Sequence, residues 1–344
     1  MTQDLLEVFQ SMDFSDKDSG IALNDRVLII DGMNTFIRSF AAIPTMDENG
    51  NHIGGVTGFL KSVGYITRKF KPSRVYVIFD GKGGSKRRRD IYPDYKLGRK
   101  PLTRLNRTYD MTTEKDEQDL MRYELVIVAK ALMKLPITTI TLDHVEADDI
   151  ISYIAQHVVE NGGESIIYST DKDFLQLVGD GIKVWNPVRK KTYIPEVVLE
   201  DHGIHPNNFL LYRALTGDTS DNLPGIKGLG MKTLLKFMPG FATEEKLTLD
   251  EVITIAESSK SKVMSKIVDQ KEIIQRNLTL MSLLSVMISD NNKMKILNKI
   301  NRPQLSLHKY GLTKLLIETN ILPAMQNYDS WVVSTFNPLT RFDG

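Results

Sequence analysis

Nine acidic residues in five short clusters are the side chains whose types and spacing could do chemistry in this chain. They are Asp31, Asp80, Glu146, Asp148, Asp149, Asp171, Asp173, Asp218 and Asp221. One Mg²⁺ normally takes one or two carboxylates together with waters and phosphate oxygens, so nine acids are too many for one ion. All-oxygen ligands favour Mg²⁺ or Mn²⁺ over zinc, and the six histidines show no zinc-ligand spacing. The pattern predicts two or more hard cations, whose natural chemistry is two-metal hydrolysis of phosphodiesters.

Short buried strands are predicted to position the first four of these clusters. The β-branched or apolar runs are Val27–Ile30, Val75–Phe79, Ile137–Leu142 and Ser165–Tyr168. An acid follows each run, and helical patterns such as Phe59–Phe70 and Tyr123–Leu135 lie between the runs. This alternation predicts an α/β domain with a mainly parallel central sheet flanked by helices. Ligands bind at the carboxyl ends of such strands, so the acids are expected to converge on one metal site.

The third cluster, Glu146-Ala147-Asp148-Asp149, is predicted to open a helix. Helical phase places Asp148 on the buried face with Ile151, whereas Asp149 shares a face with Ser152. An acid directed inward needs a partner. The alternative role, a capping acid at a helix N-terminus, explains one of these three acids and not all of them.

Basic residues are concentrated in the segment between Lys82 and Arg107, which contains ten of them against only Asp90 and Asp94. Tyr92 and Tyr95 lie among them, and aromatic rings stacked on bases beside basic side chains are typical of a single-strand channel. The DNA-binding candidates here are Tyr95, Arg87, Arg88 and Arg89. A solvated loop is the alternative for this segment. Acidic runs lie before it in residues 1–25 and after it at Glu114, Asp116, Glu117 and Asp119, and solvated faces are the alternative for them.

A glycine-rich segment, Leu223–Thr233, follows the fifth acidic cluster and opens a helix. It does not follow a strand, so a helix–hairpin–helix type of DNA backbone clamp fits better than a dinucleotide fingerprint. Its predicted phosphate contacts are Gly225, Lys227, Gly228, Gly230 and Lys232. A plain helix–helix turn is the alternative. Gly54–Gly58 is predicted to be a turn, either plain or in contact with a backbone.

Composition sets the broad class of the protein. The chain has 344 residues, 44 Lys+Arg against 43 Asp+Glu, and no cysteine. The absence of cysteine excludes disulfides, thiolate zinc sites and cysteine nucleophiles, and it favours a reducing, intracellular compartment. No apolar run approaches the roughly 20 residues that cross a bilayer, so no membrane partner is expected.

The predicted organisation has three parts. An acidic N-terminal extension covers residues 1–24, an α/β domain covers 25–205, and a helical region covers 206–344, including Lys262–Leu284 as one helical pattern. For Trp331, Phe336 and Phe342 two fates are open, a docking tail for a single-strand-binding protein or sliding clamp, or packing against the body. Packing is the favoured one.

Six motifs together resemble the 5′ nuclease, or flap endonuclease, family in order and spacing over residues 25–240. They are Ile30-Asp31-Gly32, Phe79-Asp80-Gly81, Tyr95-Lys96-x-x-Arg99, Glu146-Ala147-Asp148-Asp149, Ser169-Thr170-Asp171-Lys172-Asp173, and Gly217-Asp218-x-x-Asp221 with the glycines after it. The chain is similar to polymerase-linked 5′ nuclease domains of bacteria. Through Val184-Trp185-Asn186-Pro187 and Arg189-Lys190-Lys191 it also resembles the T-even phage ribonuclease H branch.

This resemblance implies a PIN-like 5′ nuclease fold with a helical arch at about 82–125 and a helix–three-turn–helix at about 207–238 that binds K⁺. It implies a Mg²⁺-dependent 5′→3′ exonuclease and flap endonuclease. The enzyme would be a monomer in the cytoplasm of a bacterium or of a phage-infected host cell. Its substrates would be branched or 5′-flapped DNA and RNA–DNA hybrids, in replication or repair.

The resemblance also implies a role for each site residue. Asp31, Asp80, Glu146 and Asp148 would hold the first ion, with Asp149 acting through water, and Asp171, Asp173, Asp218 and Asp221 would hold the second. Lys96 and Arg99 would contact the scissile phosphate and act with Asp31, Asp80, Asp148 and Asp171 in catalysis, while Tyr95 would stack on a base.

Two other functions remain open on the sequence alone. A PIN-like ribonuclease shares carboxylates at strand ends, but the pairing of Asp218 and Asp221 with a duplex-gripping hairpin speaks against it. A catalytically inactive branched-DNA-binding module would be expected to lack some metal ligands, and none is missing here.

Overall fold

A six-stranded sheet forms the centre of the protein in a computed structural model, which describes residues 24–98, 105–106, 114–302 and 306–340. The strands are β1 (Arg26–Asp31), β2 (Arg74–Ile78), β3 (Thr138–Ile140), β4 (Glu164–Tyr168), β5 (Ile182–Asn186) and β6 (Lys191–Tyr193). Their order across the sheet is β3-β2-β1-β4-β5-β6, with every pair parallel except β5 and β6. The predicted α/β class with a mainly parallel sheet is confirmed.

Helices cover both faces of this sheet. Those of the first part of the chain are α1 (Gly32–Ala42), α2 (Gly54–Phe70), α3 (Lys86–Ile91), α4 (Glu114–Leu132), α5 (Ala147–Glu160) and α6 (Pro195–His202). Those of the later part are α7 (Pro206–Thr216), α8 (Met231–Phe237), α9 (Leu249–Glu257), α10 (Lys262–Asp269), α11 (Lys271–Met281), α12 (Asp290–Ile300), α13 (Lys309–Glu318) and α14 (Tyr328–Phe336).

The central strand β1 contributes to the hydrophobic core on both faces of the sheet, because alternate side chains point to opposite faces. Val27 and Ile29 pack with α5 and with helices of the 206–300 region. Leu28 and Ile30 pack with α1, α2, α4, α13 and α14. Fully apolar strands of this kind are expected in a parallel sheet that is covered on both sides.

The structure changes several predicted boundaries. Strands β5 and β6 were not among the predicted strands, and the pattern over Lys262–Leu284 is two helices that meet at Gln270. Gly54–Gly58 is the buried first turn of α2 and not a separate turn. A Cβ on Gly54 would lie 1.8 Å from the Ile43 carbonyl oxygen, so close backbone packing explains this glycine.

The aromatic residues near the C-terminus pack against the body where the structure describes them. Phe336 is buried, and the Trp331 ring lies against Gly64 of α2. Phe342 and residues 1–23 lie outside the described residues. Among the helices of the described residues, none is long and apolar enough to cross a membrane.

Candidate active site

Four carboxylates meet at the carboxyl edge of the central sheet. Asp31 ends β1, Asp80 and Asp171 follow β2 and β4, and Asp148 lies in the first turn of α5. Burial, together with the neighbouring Asp171 and Asp80, raises the pKa of Asp31 to about 7. Burial and the charges of Asp171 and Asp31 raise the pKa of Asp148 well above its ordinary value. The structure therefore brings these four acids close enough to repel one another.

Hydrogen bonds from the surrounding backbone and hydroxyl groups orient these carboxylates. Asp31 accepts a bond from the Asn34 N–H at 3.0 Å and one from the Ser169 hydroxyl at 3.0 Å. Asp80 accepts a bond from the Ala147 N–H at 2.9 Å, which ties β2 to the start of α5. Neutral donors of this kind fix the direction of a carboxylate without cancelling its charge.

Glu146 differs from these four acids because two cations contact it. The Arg88 guanidinium lies 2.6 Å from one carboxylate oxygen, and the Lys96 ammonium donates to the other at 2.6 Å. Burial alone would raise the pKa of Glu146, but Arg88 and Lys96 hold that pKa below its ordinary value. The negative charge of Glu146 is thus already balanced by Arg88 and Lys96 in this structure.

Asp149 is a structural partner of Arg88, which corrects two predictions. Two parallel hydrogen bonds of 2.7 and 2.8 Å join the Arg88 fork to the Asp149 carboxylate, and Asp149 is 1% exposed. Helical phase gave Asp148 the buried face, yet Asp148 keeps the greater exposure of the two. Arg88 is 4% exposed and also donates to the Leu280 carbonyl at 2.8 Å. Arg88 is thus buried in this arrangement, and its predicted contact with DNA has no support from it.

The loop that carries Tyr95 and Lys96 is pinned to the loop that carries Asp221. Lys96 has a φ of 57° and donates its backbone N–H to the Asp221 carbonyl at 2.9 Å. Asn222, with a φ of 58°, donates its side-chain amide to the Asp94 carbonyl at 2.9 Å. Two left-handed residues other than glycine, on two loops joined by these bonds, mark a strained segment, as is common at functional sites.

Tyr95 is buried at 3% exposure, which gives its predicted role as a stacking aromatic no support in this arrangement. Its hydroxyl lies 3.2 Å from a Glu146 oxygen and 3.1 Å from an Asp221 oxygen, and donates to this acidic pair. Burial and these two acids raise the pKa of Tyr95, so the hydroxyl remains protonated. Tyr95 therefore joins the third and fifth acidic clusters and presents no free ring face to a base.

A second acidic group lies around Arg213 at the end of α7. Arg213 donates from Nε to Asp173 at 2.9 Å and from a terminal nitrogen to Asp218. Burial and the neighbouring Asp171 raise the pKa of Asp173 to about 7 even though Arg213 opposes this shift. Burial would raise the pKa of Asp218, but Ser220 and Arg213 hold it below its ordinary value. The sequence pattern gave no sign of this arginine's role.

The two acidic groups differ in how well they suit a divalent ion. Within the described residues no basic side chain forms an ion pair with Asp31, Asp80, Asp148 or Asp171, and their mutual repulsion suits a hard cation. Asp173, Asp218 and Glu146 already have arginine or lysine partners. Across the part of the chain that the structure covers, no three acidic or histidine side chains stand ready-made to hold an ion.

The glycine-rich segment joins α7 to α8 and contains two kinds of glycine. A Cβ on Gly225 would lie 2.1 Å from the Thr216 backbone, so packing requires this glycine. Gly230 faces open space, a Cβ on Gly228 would meet Val263 at 3.9 Å, and Lys227 and Lys232 are exposed beside them. These outer residues of the segment present a surface that a phosphate could approach.

The described part of the basic segment is held in place by hydrogen bonds to backbone carbonyls, unlike a solvated loop. Arg87 donates to the Met287 carbonyl at 2.6 Å, and exposed Arg89 donates to the Tyr95 carbonyl at 3.2 Å. Arg99 lies outside the described residues, as does much of the predicted arch. The chain continues at Glu114 with the acidic helix α4, whose later residues pack in the hydrophobic core.

A cationic cavity beside the sheet edge was missed by the sequence analysis. It measures about 440 Å³ and is lined in part by Arg38, Lys61, Tyr65, Trp185 and Lys190. Arg38 donates to the Tyr168 hydroxyl at 2.7 Å, at the end of the strand that precedes Asp171. Its residues come from α1, α2 and the β5–β6 hairpin, so no single sequence run indicates it.

Comparison with known proteins connects this arrangement to a family. Residues 26–203 match the family described as "5′-3′ exonuclease, N-terminal resolvase-like domain". A "5′-3′ exonuclease" of Aquifex aeolicus is 31% identical over 220 residues, which cover 64% of this chain and 71% of that protein. The thermostable DNA polymerase I of Thermus thermophilus is 33% identical over 230 residues, 66% of this chain and 26% of the polymerase.

A solved structure shares the fold at lower sequence identity. The bacteriophage T5 D15 flap endonuclease, in a pseudo-enzyme-product complex with DNA and metal ions, aligns with a TM-score of 0.61 and 20% identity. The alignment covers 85% of this chain and 98% of that one. The T-even phage branch remains a prediction, whereas the family resemblance is confirmed. The chain belongs to the 5′-3′ exonuclease, or flap endonuclease, family.

Proposed function

We propose that this chain is a Mg²⁺-dependent structure-specific 5′ nuclease that removes 5′ flaps and RNA primers from DNA. The carboxylate group Asp31, Asp80, Asp148 and Asp171 supports the proposal most directly, because burial and the neighbouring acids raise the pKa of Asp31 and of Asp148 at the sheet edge. Acids held in this way suit a divalent cation. When bound, the ion would lower the pKa of a water molecule and offset charge on the phosphate.

The chain's own residues would orient the substrate and the carboxylates. Ser169 and the Ala147 N–H fix Asp31 and Asp80, so these two acids need little reorganisation during the reaction. Lys96 lies at the same edge and is only partly exposed. Burial would lower the pKa of Lys96, but Glu146 and Asp221 raise it above its ordinary value. Lys96 therefore stays positively charged and could contact the scissile phosphate.

The DNA interface that we propose has two surfaces. Lys227, Gly228, Gly230 and Lys232 would contact the phosphates of a duplex, as expected for a helix–three-turn–helix with K⁺. The cavity lined by Lys61 and Lys190 would add a second positively charged surface. Phosphate contacts of this kind bind without sequence preference, which suits recognition of shape.

A 5′-labelled flap substrate tests this function. We expect cleavage in Mg²⁺ and none in EDTA, and we expect Asp148→Asn to abolish it. The matched control Asp250→Asn changes an exposed acid whose ion-pair partner among the described residues is Lys271, and it should cleave like wild type. Binding with no cleavage by wild type would contradict the proposal and favour an inactive DNA-binding protein.

Substrate chemistry separates the remaining alternatives. The proposal predicts cleavage of a DNA flap and of an RNA primer that is paired to DNA. A PIN-like ribonuclease would cut single-stranded RNA and leave the DNA flap intact, so that result would replace the proposed function. Labelled products at the base of the flap would show structure specificity, whereas a ladder of short products would show exonuclease action.

A further inference from the structure

Arg213 lies between two carboxylates that the family resemblance assigns to a second metal ion. Its Nε donates to Asp173 at 2.9 Å, and a second nitrogen of the same fork donates to Asp218. All three side chains are less than a quarter exposed. A planar guanidinium with two carboxylate partners makes strong, directional hydrogen bonds that a lysine cannot reproduce.

The surrounding elements hold this trio in place. Arg213 lies in the last turn of α7, and Asp173 begins the short 3-10 helix Asp173–Leu177, which packs against α7. The Ser220 N–H and hydroxyl donate to Asp218 at 2.7 and 2.6 Å, and these bonds fix the carboxylate that faces Arg213. The end of α7 is held by Asn277, which donates to the Ala214 carbonyl at 3.0 Å.

A cation that binds between Asp173 and Asp218 must compete with this guanidinium. Binding there requires two charge-assisted hydrogen bonds to break, or places the ion close to a positive charge. No such competitor pairs with Asp31, Asp80, Asp148 and Asp171 within the described ranges. The two acidic groups should therefore differ strongly in affinity for divalent ions.

We propose that Arg213 is the resident counter-ion of the Asp173–Asp218 pair, so that this chain binds one divalent ion tightly and a second only by displacing Arg213. The inference rests on the proposed assignment of the first ion to the Asp31 group. It adds that a residue of this chain controls occupancy of the second position.

Calorimetric titration of the full, DNA-free chain with Mn²⁺ tests this role without any activity measurement. Wild type should show one tight ion. Arg213→Gln should gain a second ion that binds at least about tenfold more tightly than in wild type, because a unit charge is removed from the site. Adding Asp173→Asn to Arg213→Gln should remove that gain.

One further variant and two contrary outcomes keep the test decisive. Arg213→Lys retains the charge but cannot hold both acids in one fork, so its second ion should bind with intermediate affinity, and it serves if Arg213→Gln does not fold. Equal second-ion affinity in wild type and a folded Arg213 variant would overturn the role of Arg213 alone. Failure of wild type to bind even one Mn²⁺ would instead overturn the proposed function.

Discussion

The buried ion pair between Arg88 and Asp149 yields a prediction about stability that can be worked from the contacts. Arg88→Met removes two bonds to Asp149, one contact with Glu146 and one bond to the Leu280 carbonyl. Glu146 keeps Lys96, so one buried carboxylate, Asp149, loses its partner. Breaking a buried pair in this way costs about 3–5 kcal/mol. The free energy of unfolding should fall by that amount.

Urea denaturation in EDTA, followed by tryptophan fluorescence, measures this loss. Arg89→Met is the matched control, because Arg89 is exposed and makes one bond to a carbonyl, and it should change stability by less than about 0.5 kcal/mol. Adding Asp149→Asn to Arg88→Met should recover part of the loss, because the unpaired charge is removed. A loss below about 1 kcal/mol for Arg88→Met would refute the reasoning.

Three more predictions follow from the site. Tyr95→Phe should leave binding to single-stranded DNA within about twofold of wild type, because the ring is buried; a tenfold loss in a binding titration would restore the stacking role. In EDTA the free energy of unfolding should fall as the pH rises from about 4 to 7, because Asp31 loses its proton at about pH 7 in the folded chain and near its ordinary pKa in the unfolded chain. Asp31→Asn should flatten this pH dependence in urea titrations at several pH values, and an unchanged slope would contradict the prediction. Lys61→Glu with Lys190→Glu should weaken flap binding and lower its dependence on salt, and an unchanged salt slope would remove the cavity from the interface.

The sheet edge was predictable because it depends on short-range pattern. Apolar runs followed at once by acids identify the ends of parallel strands, and parallel strands bring those ends together. Asp31, Asp80 and Asp171 were located in this way. The short β5 was missed as a strand because Val184-Trp185 is a brief apolar run between polar residues.

Partner choice among charged side chains was not predictable. Arg88 and Asp149 are 61 residues apart, and Arg213 and Asp173 are 40 apart, so only the packed fold brings them together. A basic run indicates DNA contacts by composition, but it does not show that Arg88 points inward. Helical phase likewise predicted an exposed Asp149, because the sequence of the helix does not contain Arg88, the distant residue that pairs with Asp149 and allows it to be buried.

The central claim is that the carboxylate group at the sheet edge performs hydrolysis and does not merely hold the fold or bind DNA. Single-turnover cleavage of a 5′ flap by Asp31→Asn, measured beside the flap dissociation constant in Ca²⁺, tests it most directly. The claim predicts cleavage slowed roughly 100-fold to 1,000-fold, as expected when several kcal/mol of charge stabilisation are lost, with binding near that of wild type. Cleavage at the wild-type rate by Asp31→Asn would contradict the claim.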